Sequence, residues 1–270
     1  MPLEPADLEP AGLRLDIETD DGSGHAGAVA TITLNRPRRR NAMTPGMWRG
    51  LARIGDALPP QVRVVIIKGE GESFSAGIDL RLFTAEGVPG EDPLPDPRSE
   101  EFEGWIAGMQ AGYLWLRRPG IVSIAAVRGH AIGAGFQLAL SCDLRMLADD
   151  AKLCMKEPAL GLVPDLTGTK PLVDIVGLPR ALEMCLTART VDATEARDLG
   201  LAEIVVPAGQ LDATVADLTA ALLATDAAAA RATKRLLGQA PGHTLAEQAA
   251  AERRMQTELQ RERLGPLPAQ

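Results

Sequence analysis

Apolar and polar positions alternate along Leu13–Thr19 and, after a Gly-rich stretch, along Ala28–Leu34 (AVATITL). A period of two predicts half-buried strands, and the short Gly-rich link predicts a hairpin between them. Continuous runs of β-branched and small apolar residues at Val62–Lys68 (VRVVIIK) and Ile121–Val127 (IVSIAAV) predict strands buried on both faces. Asp143–Ala148 and Ile204–Val206 predict further strands, and Lys152–Met155 an extended segment leading to Glu157. Helical spacing appears at Thr44–Ala57, where Thr44 can cap and Pro45 suits the first turn. It appears again at Glu100–Leu116, Lys170–Ile175, Arg180–Thr187, Thr194–Leu199, Ala221–Leu237 and Thr244–Arg263. Strands early and helices late predict an α/β core over residues 13–206 and a helical C-terminal region over 207–270. The acidic, Pro-rich residues 1–12 predict a frayed tail. Thr84–Arg98 carries four prolines and no periodicity, which predicts a functional or disordered loop.

Composition narrows the function. The 270 residues are 46% hydrophobic but only 3% aromatic, so the core is expected to be aliphatic and Ala-rich. A net charge of −8 argues against general nucleic-acid binding, although Arg36, Arg38, Arg39 and Arg40 form a local basic spot. Three cysteines, Cys142, Cys154 and Cys185, fit reduced thiols of a cytoplasmic protein better than a disulfide framework. The N-terminus has neither the basic start nor the apolar stretch of a signal peptide, and no apolar run is long enough to predict a membrane span.

Two small-residue turns follow apolar strands: Ser73–Leu80 (SFSAGIDL) and Gly129–Gly135 (GHAIGAG). Bare backbone N–H groups at such turns can face a ligand, and a helix starting at Gly133, Ala134 and Gly135 adds its positive end. Paired main-chain donors are the usual means of holding an oxyanion. Gly22, Gly24 and Gly27 match the spacing G-x-G-x-x-G, but a strand follows rather than a helix, so a hairpin turn is expected instead of a dinucleotide site. His130 and Cys142 are read as turn and packing residues rather than a Cys–His nucleophile.

Asn35-Arg36-Pro37 with Asn41-Ala42-Met43, then FSAGIDL, then GHAIGAGFQLALSCDLRMLADDAKL, then KEPALGLVPDLTGT, occur in that order. This series resembles the crotonase (enoyl-CoA hydratase/isomerase) superfamily over roughly residues 12–260. The resemblance implies a crotonase-like spiral of ββα units, with C-terminal helices that help to form a homotrimer or a dimer of trimers. It implies an acyl-CoA thioester as substrate, with no cofactor beyond the coenzyme A that the substrate carries. It implies backbone N–H groups of Ile78 and Ala134 on the thioester oxygen. Ala42, Ala76, Gly77, Asp79, Leu80 and Gly133 would surround the substrate, and Arg38 would meet the CoA phosphates, where a positive charge is useful. Phe83 and Trp105 would border the acyl pocket.

The acids decide the reaction. Hydratases of the superfamily carry two glutamates at positions that here hold Gln137 and Glu157. An amide is no general base, though it can orient water or substrate. One carboxylate suffices to lift a proton from one carbon and return it to another. Double-bond isomerisation with Glu157 as acid/base is therefore expected, with Gln137 positioning substrate or water. A hydratase-type lyase, a decarboxylase and a non-catalytic acyl-CoA binder are the alternatives. Asp165, eight residues after Glu157, resembles the extra aspartate of dienoyl-CoA isomerases, or else caps a helix starting near Thr167. Glu101 and Glu103 are further acids whose side chains could reach the site.

Overall fold

The computed structural model describes residues 8–18 and 25–264. Its main sheet has six strands in the order β1-β2-β3-β4-β6-β9. β1 (Leu13–Ile17) and β2 (Val29–Leu34) are antiparallel, with Leu13 opposite Leu34. This is the expected hairpin, although residues 19–24, which hold two of the three glycines of the G-x-G-x-x-G spacing, lie outside the described residues. β3 (Val64–Gly69), β4 (Val122–Val127), β6 (Leu144–Ala148) and β9 (Ile204–Val206) follow in parallel.

The continuous apolar runs have a plain cause. On β3, Val65 and Ile67 face the larger core, while Val64 and Ile66 face a second core closed by α6 (Leu211–Leu223). Both faces are covered, so neither can be polar. The larger core also takes α1 (Pro45–Ala57), α2 (Glu101–Leu114) and α3 (Ala134–Ser141). Thr44 caps α1 by accepting from the Met47 N–H, as its sequence position predicts.

A second sheet escaped the sequence reading. β5 (His130–Ile132) pairs with β7 (Lys152–Cys154), which pairs with β8 (Val191–Asp192). The first part of GHAIGAG is thus a strand. The two helices expected at 170–187 are α4 (Thr169–Thr187), broken at Gly177 (φ 74°) two residues before Pro179. α5 (Ala193–Asp198), α7 (Ala227–Gln239) and α8 (Leu245–Leu264) complete the described helices. Lys234 on α7 donates to Asp143 Oδ2 (2.6 Å) and to the Ile121 carbonyl (2.6 Å), which ties that helix to the core.

Residues 8–12 are not part of a frayed tail, and residues 1–7 of that expectation lie outside the described residues. Leu8 is buried, and Glu9–Ala11 form a 3₁₀ turn closed by Gly12, because Leu8 finds a place in the larger core. The 84–98 segment lacks regular structure but is latched. Both Glu91 carboxylate oxygens accept from the Gly46 N–H at the start of α1 (2.9 Å each), and Arg49 adds an ion pair at 3.1 Å. A helix N-terminus is a favourable place for that charge. Among the described residues no single helix is long and apolar enough to cross a membrane. Only the stretch through α6 and α7 has the composition, with a 103° bend in it.

Candidate active site

The Ser73–Leu80 segment crosses from the end of β3 to β5. Ser75 donates to the His130 carbonyl (2.8 Å) and accepts at its own carbonyl from the Ile132 N–H (3.0 Å). Further on, Met43 N–H donates to Gly77 O (2.7 Å) and Asp79 N–H to Met43 O (2.9 Å). These two bonds straddle Ile78, so its own N–H points to the opposite side. Gly77 sits at φ 88°, and a Cβ there would lie 2.7 Å from the Ile132 carbonyl oxygen and 3.8 Å from Ala134 N. Only glycine accommodates that conformation and that approach. The Ile78 and Ala134 amides are thereby brought onto neighbouring turns.

Gly133 (φ 50°, ψ −119°) precedes α3, and Ala134 is the first helical residue. Its N–H therefore has no intrahelical acceptor. Among the described residues, neither the Ile78 nor the Ala134 N–H has a hydrogen-bond partner. Two free donors on adjoining turns, one at a helix start, form an oxyanion hole in outline.

The surrounding scaffold is held by side-chain hydrogen bonds and ion pairs. Asn41, itself at φ 54°, donates to the carbonyls of Glu70 (3.0 Å) and Ser73 (2.8 Å). Ser75 Oγ donates to Asn41 O at 2.8 Å. Asp79 is pinned by Arg81 (2.7 Å) and Arg36 (3.0 Å), and these guanidinium groups, Arg81 foremost, lower its carboxyl to about 2. Tyr113, the only tyrosine, is fully buried. Its hydroxyl donates to the Ala134 carbonyl (3.0 Å) and accepts from Trp48 Nε1 (3.1 Å). Sequence reasoning missed this brace, because a lone tyrosine in an apolar helix looks like ordinary core.

Glu157 opens a 3₁₀ turn (Glu157–Leu160) after β7 and is 7% exposed. Its Oε1 accepts from Gln137 Nε2 at 2.6 Å, whereas its Oε2 has no partner among the described residues. Gly133 lies against this carboxylate, since a Cβ there would be 3.0 Å from Oε1. Burial raises the Glu157 carboxyl above its ordinary value, an effect partly offset by nearby backbone and the Gln137 amide and reinforced by the charge of Asp165.

Gln137 requires a correction. Its Oε1 accepts from the N–H groups of Leu166 (2.8 Å) and Gly168 (3.2 Å), and its Nε2 holds Glu157. It does not line the cavity described below, so its amide is not available at the substrate as expected. Gln137 is a positioning residue for Glu157. Asp165 does not cap α4 either: that helix starts at Thr169 behind Gly168, with no side-chain cap.

A cavity of about 510 Å³ adjoins the two free amides. Ala76, Gly77, Ile78, Leu80, Gly133, Ala134, Glu157 and Asp165 line it, as do Phe83 and Trp105. Arg38, Ala42 and Asp79 do not, and neither do Glu101 and Glu103, which are exposed on α2. Ala42 and Asp79 instead receive the Arg36 guanidinium, and so fix the turn from behind. Arg38 is exposed on a 3₁₀ turn (Pro37–Arg39). Cys142 is buried, and burial pushes its thiol up to about 12, which leaves it inert as a nucleophile.

The electrostatics carry a pH signature. As a base Glu157 would act in its carboxylate form, so turnover that uses it is expected to rise as pH passes its raised pKa. The acid limb of kcat/KM is expected above the ordinary 4.5. Gln137→Leu removes a donor to the anion and is expected to move that limb upward. Asp165→Asn removes a like charge and is expected to move it downward. A pH–rate profile of both variants checks the two opposite signs. Folding responds in the same window: stability falls as pH rises from the unfolded carboxyl value to the raised one, because the folded state keeps the proton longer.

A profile of the enoyl-CoA hydratase/isomerase family matches residues 24–264. A probable enoyl-CoA hydratase of Mycobacterium bovis is 34% identical over 230 residues, covering 84% of each chain. The peroxisomal Δ(3,5)-Δ(2,4)-dienoyl-CoA isomerase of Arabidopsis thaliana is 34% identical over 177 residues, 64% of each chain. Among solved structures, a candidate enoyl-CoA hydratase of Thermobifida fusca YX in complex with CoA has a TM-score of 0.89 at 59% identity, covering 96% of both chains. The same protein in complex with acetoacetyl-CoA gives a TM-score of 0.89 over 94% of this chain and 97% of that one. The fold, the glycine-built turns and these matches agree, and the chain belongs to the enoyl-CoA hydratase/isomerase family of the crotonase superfamily.

Proposed function

We propose that the chain moves a double bond within an acyl-CoA thioester, through an enolate, with Glu157 as the single acid/base. The thioester oxygen accepts from the Ile78 and Ala134 N–H groups. Glu157 takes a proton from C2 of a 3-enoyl thioester, and the electron pair spreads over C2, C4 and the held oxygen. Glu157 then returns the proton to C4, which leaves the 2-enoyl isomer and the original carboxylate. Raising the Glu157 pKa suits both halves, since the group must both take and give one proton. The observation that carries this reading is Glu157 at the cavity wall with Gln137 behind it. Glu157 has a free oxygen there, and the second acid position is a glutamine bonded away from the substrate. The CoA and acetoacetyl-CoA held by the Thermobifida relative support the ligand class.

Hydration is the second reading, because most of the named relatives are called hydratases. It needs a second group to handle water. Asp165 is the candidate, since it lines the cavity and burial pushes its carboxyl up. Incubation with trans-3-hexenoyl-CoA and with crotonyl-CoA in deuterated water separates the readings. The expected result is conversion of the former to its 2-enoyl isomer, with deuterium at C4 whenever Glu157 exchanges before reprotonation, and little water addition to the latter. Rapid hydration of crotonyl-CoA without isomerisation would transfer the assignment to the lyase. Tight binding without any turnover would make the chain a binder.

A further inference from the structure

The chain holds only four phenylalanines, three tryptophans and one tyrosine, and its core is otherwise aliphatic. Two of those phenylalanines and two tryptophans, Phe83, Phe102, Trp48 and Trp105, line the one cavity beside the free amides. The remaining Phe74 and Phe136 are fully buried core residues. Aromatic side chains are thus concentrated where the acyl group must lie.

Helix α2 explains how. Phe102, Trp105, Ile106 and Met109 stand at i, i+3, i+4 and i+7, one face of a helix. All four line the cavity. Phe102, Trp105 and Ile106 remain half-buried, so this stripe is only partly covered by the protein itself. The Phe102 and Trp105 rings stack on each other with centroids 5.7 Å apart and planes inclined by 26°. Both rings line the cavity while remaining half-buried, so aromatic surface is open to its occupant. Ring faces and edges gain more from another ring, offset-stacked or edge-to-face, than from a flexible alkyl chain.

From this we infer that the acyl group ends in an aromatic ring seated against Trp105 and Phe102, which makes the substrate an aryl-terminated acyl-CoA. The inference rests on the acyl-CoA reading above and names the class of acyl group within it. Glu157, the two amide residues and the two rings all line this one cavity, so a single acyl group can have its thioester at the amides and its ring against Trp105 and Phe102. The ring arrives on the acyl chain and is not altered by the reaction, which shifts only a proton and a double bond.

Saturated thioesters test this independently of which reaction is catalysed, because they bind without turning over by proton transfer at a double bond. Calorimetric Kd values are compared for 3-phenylpropanoyl-CoA, nonanoyl-CoA and acetoacetyl-CoA on the whole chain and on Trp105→Leu and Phe102→Leu. The phenyl ester is expected to bind at least tenfold more tightly than the nonanoyl ester, about 1.4 kcal/mol. Either substitution is expected to remove most of that preference. Equal or tighter binding of the nonanoyl ester, or a preference that survives both substitutions, overturns the inference. In that case bound acetoacetyl-CoA keeps the acyl-CoA reading alive, whereas failure of all three esters to bind removes both.

Discussion

Glu157→Gln is expected to lower kcat by about 10²–10⁴, the usual contribution of a positioned acid/base. The substitution is close to isosteric. The new carbonyl oxygen can take the Gln137 N–H that Oε1 now accepts, and the new NH₂ falls where Oε2 has no partner. Binding of acetoacetyl-CoA should therefore persist while turnover is lost. Stability should hold or rise above neutral pH, because the change removes a charge that burial disfavours. Single-turnover rates with a 3-enoyl thioester, together with thermal melts, check both parts. Turnover within tenfold of the parent chain would remove Glu157 from the chemistry.

Ala134→Pro is expected to lower kcat by about 10²–10³, the cost of one oxyanion donor. The substitution replaces the N–H by the ring Cδ, which removes the donor and fills the place its hydrogen occupied. Ala134 is the first residue of α3, where proline's missing N–H breaks no helical bond. The preceding residue, which proline normally restricts, is glycine at φ 50° and ψ −119°. That is the mirror image of the extended region proline favours, and glycine has no handedness to object. Circular dichroism should show the helix retained. A variant with intact helix content and full rate would mean that the Ala134 amide does not touch the developing charge.

Both substitutions concern groups that differ in how visible they are in the sequence. The strands of the main sheet were legible, because each is an alternating or a continuous apolar stretch bounded by turn residues. β5 and β8 were not. Three and two residues carry no periodicity, and β5 is hidden inside a glycine motif that reads as a turn. The two donor amides could be placed from the motif series, yet their freedom could not. It depends on Met43 taking the bonds on either side of Ile78, thirty-five positions away in sequence.

Gln137 shows the same limit. The family resemblance pairs it with Glu157, but its role turns on the amides of Leu166 and Gly168, which only the folded chain brings to it. Glu91 in a Pro-rich segment gave no sign that it seals the N-terminus of α1. Long-range polar contacts of this kind leave no periodic trace. Apolar burial does, which is why the core was easier to read than the site.

The most direct test is a crystal structure of this chain with acetoacetyl-CoA. The thioester oxygen is expected about 2.7–3.1 Å from both the Ile78 and the Ala134 nitrogens, with Glu157 facing the carbon next to that carbonyl. A bound ligand whose thioester oxygen lies beyond about 4 Å from both nitrogens, outside any hydrogen bond, would contradict the mechanism at its root.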